Sequence, residues 1–192
     1  MIETQIVLYR LLAQSLIYPD KHFVANLQSA VGKINLEVFD DGRLPLGAFV
    51  RALRELARLP LDQIQGEYTR LFVNAYPHVP CPPYESAYRD GEVLGNAAEQ
   101  VDVLYRQWEL VVEGEQVDQA SVELEFIAFL LVLDLPQARE AAEQFRAAHL
   151  LRWLPRLADD LDRASRLEFY RAVGRVLRAV LCQAFTAVES MT

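Results

Sequence analysis

Four of the chain's nine prolines fall together, at Pro77, Pro80, Pro82 and Pro83. Each lacks an amide hydrogen, and each pushes its predecessor out of the α region. Together they exclude helix and most sheet pairing from the middle of a chain of 192 residues. The same passage, NAYPHVPCPPYESAYRD, also carries Tyr76, Tyr84, Tyr88 and Cys81. The spacing predicts a long ordered loop from about Ala75 to Gly95, since rings of this size argue against disorder. Loops of such length without secondary structure are usually functional when they are ordered.

The flanking sequence repeats its apolar residues at helical spacing. Residues 3–18 place Ile6, Tyr9, Leu12, Ala13 and Leu16 on one face and stop at Pro19. Asp20 is positioned to cap a second helix reaching about Gly32. A loop covers 33–45, and Leu46–Leu59 is amphipathic. Asp62 can cap QIQGEYTRLFVN. Beyond the proline passage, helix is expected at Asn96–Val111 and again after Gly114, where VELEFIAFLLVL is apolar on most sides. Pro136 suits the first turn of the next helix. Residues 137–162 read as one or two amphipathic segments bent near Pro155, and Ser165 can cap a final helix to about Val188. No segment alternates with period two. The expected fold is all-α, a single helical bundle over 1–192 with about eight helices and one central Pro/Tyr-rich loop.

Charge narrows the partners. Formal net charge is −8, which disfavours nucleic acid. Residues 85–125 hold eleven acidic side chains and two basic ones, Arg89 and Arg106. An acidic segment that begins inside the proline passage points to one site built from both, suited to a cationic peptide. The two cysteines, Cys81 and Cys182, form neither a disulfide framework nor a zinc motif. The start, MIETQIVLYR, lacks a basic n-region, and FIAFLLVL is too short to span a bilayer. A cytoplasmic location is the expectation.

Catalytic patterns are missing. There is no P-loop, no G-x-G-x-x-G and no G-x-S-x-G elbow. None of His22, His78 and His149 follows a glutamate by three residues, so a di-iron carboxylate site is not indicated. Cys81, between two prolines, reads as structural, and His149 as a packing or capping residue. Glu123 and Glu125 suit the first turn of an apolar helix. No catalytic residue, metal ligand or cofactor is assigned. What the residues describe is a binding surface. Proline-fixed backbone loses little entropy on ordering, and tyrosine offers contact area with few rotatable bonds.

EYTRLF at 67–72, followed by P-x-x-P-C-P-P-Y-E-S at 77–86, resembles the signature region of the TorD/DmsD/NarJ family of redox-enzyme maturation chaperones. VDQASVELEFIAFL at 117–130 is similar to the family's second motif, an Asp-His pair followed by E-L-x-F. F-x-x-x-H-L-x-x-W at 145–153 and the opening L-Y-R-L-L-A also fit. The resemblance implies a helical chaperone without its own reaction. Such a protein binds the catalytic subunit of a molybdenum-dependent oxidoreductase, many through a twin-arginine leader peptide, and delays export until the cofactor is inserted. Position by position, it implies a peptide-binding set of Tyr68, Leu71, Phe72, Pro83, Tyr84, Ser86, Asp118, Gln119 and Glu123. Gln119 stands where the family usually has histidine, and glutamine cannot carry charge. Other readings stay open: Leu71 and Phe72 as core, Tyr84 as loop packing, Asp118 as a helix cap. So do other functions: assembly of a non-exported, nitrate-reductase-like client, a nucleotide-binding enzyme, or a helical adaptor. Related proteins occur as monomers and as domain-swapped dimers.

Overall fold

The computed structural model describes residues 2–34, 44–114 and 116–182, and all its regular structure is helical. In chain order the helices are α1 (Ile2–Ser15), α2 (Phe23–Gly32), α3 (Leu46–Leu56), α4 (Leu61–Tyr68), α5 (Glu85–Arg89), α6 (Asn96–Gln107), α7 (Ala120–Val132), α8 (Pro136–Phe145), α9 (Leu151–Ala164) and α10 (Glu168–Leu181). A π-turn, Thr69–Val73, extends α4, and a second, Arg146–Leu150, joins α8 to α9. Counting these joined runs once gives nine continuous helical stretches among the described residues, against the eight expected.

The apolar sequence of α7 explains its place. Leu124, Ile127, Leu130 and Leu131 are buried on successive turns, and Ala120 and Ala128 fill the faces between them. A helix that is hydrophobic all round belongs in a core. α7 packs on α1 and α8, while α10 packs on α9, α3 and α1. α9 and α10 are strongly amphipathic and turn their leucines and valines toward each other. They approach closely at Gly174, where an added Cβ would sit 2.6 Å from the Ala158 carbonyl oxygen. Only glycine fits that contact without shifting a helix.

The structure corrects several expectations. The central passage is not loop throughout, because α5 occupies Glu85–Arg89. Helix becomes possible once Pro83 is passed, and its first turn is capped from elsewhere in the chain. The irregularity in 137–162 lies not at Pro155, which α9 contains, but at the π-turn immediately before α9. A proline wedges against the carbonyl four residues earlier, here Leu151, and that is where the π-turn gives way to α helix. Ser165 does not cap the final helix, whose N-cap is Leu167; it shapes the α9–α10 turn by accepting from the Leu167 amide at 3.1 Å. Asp20 does not cap α2, whose N-cap is His22; its carboxylate accepts from the His22 amide at 2.9 Å, just before the helix, and Pro136 opens α8 as expected. The centre of the 33–45 loop and the final helix beyond 182 lie outside the described residues.

Candidate functional site

Two stretches far apart in sequence cross at one point. Tyr84 and Gln119 form an antiparallel bridge. The Ala120 amide donates to the Pro83 carbonyl at 2.9 Å, and the Glu85 amide to the Asp118 carbonyl at 2.9 Å. Pro83 has no amide to spend, so its carbonyl is its whole contribution to the crossing. Asp118 caps α5: its Oδ2 accepts from the Ser86 amide at 2.9 Å and from the Ser86 hydroxyl at 2.5 Å. A carboxylate at a helix N-terminus satisfies an orphan donor and the helix dipole together. Asp118 thus does not cap the apolar helix that follows it, as its position suggested; it caps α5 from across the crossing. Gln119 is buried at the N-cap of α7, with no side-chain cap bond.

Beneath the crossing lies a buried polar cluster. Glu85 is fully buried and faces His149 Nδ1 at 2.9 Å and an Arg89 guanidinium nitrogen at 2.5 Å. Glu123 is also fully buried, and its Oε2 accepts from Trp153 Nε1 at 2.9 Å. Burial, then the adjacent Glu85 carboxylate, holds Glu123 well above the usual carboxylate range. Both effects favour the protonated form, which can donate to Glu85 where a second carboxylate would repel it. His149 and Trp153 are four residues apart and so share one helix face. The second π-turn carries His149, and α9 begins just after it. π-turns of this kind recur at functional sites.

The other motif residues pack elsewhere. Tyr68 donates to the Leu16 carbonyl at 3.1 Å and meets the rings of Tyr18 and Phe72. Phe72 also packs edge-on to Tyr170, and Leu71 is fully buried. The Leu71 carbonyl accepts from the Cys81 amide at 2.9 Å and so ties the two halves of the motif together. Glu67 forms a clamp. It takes two guanidinium bonds from Arg70, both at 2.8 Å, the Arg166 amide at 2.6 Å and the Ser165 hydroxyl at 3.2 Å. Burial opposes ionisation of Glu67, but these donors outweigh it and hold the carboxyl below its ordinary range.

The assigned nine thus form two groups, Tyr68, Leu71 and Phe72 beside α1 and α10, and Pro83, Tyr84, Ser86, Asp118, Gln119 and Glu123 at the crossing. Only Tyr84 is better than slightly exposed. Glu85, the first carboxylate of the acidic segment 85–125, is at the centre of the buried cluster. Among the described acids of 85–125, the exposed ones are Asp90, Glu92, Glu99, Glu109, Glu113 and Glu125. Tyr76 is almost fully exposed. Cys81 is buried, which pushes its thiol up to about 12, as suits a structural residue. His149, Trp153 and Glu85 complete the cluster and were not assigned from sequence. The i, i+4 spacing of His149 and Trp153 was the available signal.

Among the described residues no helix is long and apolar enough to cross a membrane, and no group of side chains is arranged to hold a metal ion. The family profile described as nitrate reductase delta subunit matches residues 40–159. The structure is similar to a crystal structure of a candidate redox enzyme maturation protein from Archaeoglobus fulgidus. The two share 27% identity and a TM-score of 0.68, over 93% of this chain and 94% of the other. No curated protein matches the chain. A profile spanning most of the molecule, with both motif stretches joined at one crossing, places the chain in the nitrate reductase delta subunit family, the non-catalytic chaperones of redox enzyme maturation.

Proposed function

We propose that this chaperone binds the catalytic subunit of a molybdenum-dependent oxidoreductase before that subunit is complete, through the subunit's N-terminal twin-arginine leader, and so holds back export until the cofactor is inserted. The observation that carries the reading is the crossing of 83–86 with 117–120, which makes one unit of the two motif stretches. In this reading Tyr84 reaches the peptide directly. Pro83, Ser86, Asp118, Gln119 and Glu123 fix the backbone beneath it, and Tyr68, Leu71 and Phe72 set the neighbouring wall. Exposed carboxylates at Asp90, Glu92 and Glu99 draw in a basic peptide and orient it. The work belongs in the cytoplasm, where the client subunit is made. Calorimetric titration with a twin-arginine leader peptide tests it. Saturable binding that weakens with salt is expected, and charge reversal at Glu92 and Glu99 should weaken it further. Absence of binding to any client leader or apo-subunit sinks the proposal. Asp118 and Glu123 are unsuitable for charge reversal because both are buried.

A second reading keeps the chaperone role but gives it a client that is not exported. The matched nitrate reductase profile and Gln119 in place of histidine favour it. Here the bound segment is an N-terminus without twin arginines, and parallel titration of the two peptide types separates the readings.

A further inference from the structure

On this acidic chain, one cleft is lined with positive charge. It has a volume of about 550 Å³ and lies between α5, α6 and α9, with Arg89, Arg152, Arg156, His149, Tyr88 and Gln100 on its walls. No aspartate or glutamate lines it among the described residues. Two of the three arginines are held in place. Arg156 donates to the Tyr88 carbonyl at 2.9 Å, with its guanidinium 5.3 Å from the centre of the Tyr88 ring. Arg89 is anchored from behind by buried Glu85. Arg152 is exposed and makes no ion pair or hydrogen bond among the described residues. Through Ala148 the cleft adjoins a hollow of about 230 Å³, walled by Leu104, Trp108, Phe126 and Phe145.

Guanidinium groups lining a cleft that has no carboxylate on its walls select an anion, because each offers paired donors matched to an oxyanion, and Arg89 meets Glu85 through only one of its five N–H groups. The cleft is open and presents side chains, not the convergent backbone amides of a phosphate cradle. Its continuation into an aromatic hollow adds a requirement for an apolar group nearby. We propose that this groove takes an acidic peptide segment of a protein partner, its carboxylates on Arg89, Arg152 and Arg156 and an adjacent apolar side chain in the hollow at Trp108. The contact is separate from leader recognition, since a twin-arginine leader has the wrong charge for it.

The test uses fluorescence polarisation of a short labelled peptide carrying paired glutamates and a nearby Leu-Phe pair, against the same peptide with glutamines. The glutamate peptide should bind at least about tenfold more tightly, as expected for charge-assisted bonds, and lose affinity as salt rises. Arg152→Glu should abolish that preference without changing the melting temperature, because Arg152 supports nothing else. Trp108→Ala should weaken both peptides. Equal binding of the two peptides, indifference to Arg152→Glu, or displacement of the glutamate peptide by low-millimolar inorganic phosphate would overturn the assignment. Leader binding is measured alongside, and Arg152→Glu should leave it intact. Loss of leader binding in that variant would overturn the claim of two separate contacts, whereas failure of the leader to bind the parent protein bears on the proposed function alone.

Discussion

Glu67 and Glu123 are the same residue in two motif stretches, and the fold uses them in opposite ways. Glu67 is surrounded by donors: Arg70, the Arg166 amide and the Ser165 hydroxyl hold it ionised. It closes α4 against the α9–α10 turn. Among the described residues Glu123 has one side-chain donor, Trp153 Nε1, and a second carboxylate beside it, so burial and that neighbour favour its protonated form. The first is a clamp whose charge is satisfied. The second belongs to a cluster, with Glu85 and His149, that reaches the wall of an arginine-lined cleft. Whether a buried carboxyl is structural or poised depends on its donors, which sequence spacing does not display.

The comparison breaks most sharply at Trp153. Trp153→Ala removes a fully buried indole and the only side-chain donor to Glu123 among the described residues, and should cost about 3–5 kcal/mol in denaturant unfolding. Trp153→Phe keeps most of the volume and should cost about 1–3 kcal/mol. If Trp153→Phe is as stable as the parent, the Glu123 bond contributes nothing.

Glu67→Gln should cost about 1.5–3 kcal/mol near neutral pH, the scale of hydrogen bonds to a charged group. Its pH signature follows from a lowered folded-state pKa. The stability it contributes is present above the ordinary carboxylate value, near 4.5, and is lost as pH falls through the lower folded value. The variant should therefore differ from the parent at pH 7 and converge with it in acid. A constant difference across that range would contradict an ionised clamp.

Glu123→Gln should be the mildest and should show the opposite sign. Folded Glu123 holds its proton more tightly than the unfolded chain, whose carboxyl titrates near 4.5. The unfolded state then binds fewer protons, so stability falls as pH rises above that value. Glutamine copies the neutral acid and keeps an acceptor for Trp153. At pH 8 the variant should match or exceed the parent in thermal unfolding, and its stability should depend less on pH. A marked loss at pH 8 would mean that Glu123 is ionised.

Cysteine labelling sets the scale for residues outside both sites. Under native conditions iodoacetamide should modify exposed Cys182 and leave buried Cys81 untouched. Rapid labelling of Cys81 would show that the proline passage opens.

Much of this was legible in the chain. Apolar periodicity located the helices, because burial of one face is what stabilises them. Proline chemistry marked the central interruption and the start of α8. The residues of the crossing, Pro83 to Ser86 and Asp118 to Gln119, stood out through their motifs. Their burial did not, because which neighbour covers Ser86 or Asp118 is a matter of tertiary packing. α5 was missed since its cap, Asp118, lies 32 residues beyond Ser86. His149 was read as packing because its partner Glu85 is 64 residues away. The arginine cleft was hidden by the acidic balance of the surrounding segment, since three cations from α5 and α9 meet only in three dimensions.

The central claim is that the chaperone recognises the N-terminal leader of an immature molybdoenzyme subunit. Titration calorimetry of the full chain with that leader, in the parent and in Tyr84→Ala, tests it most directly. Binding to the parent should be saturable and salt-sensitive, and loss of the Tyr84 ring should weaken it at least about tenfold, as for an aromatic anchor that becomes buried on binding. Parent protein that binds no client leader, or Tyr84→Ala that binds as the parent does, would contradict it.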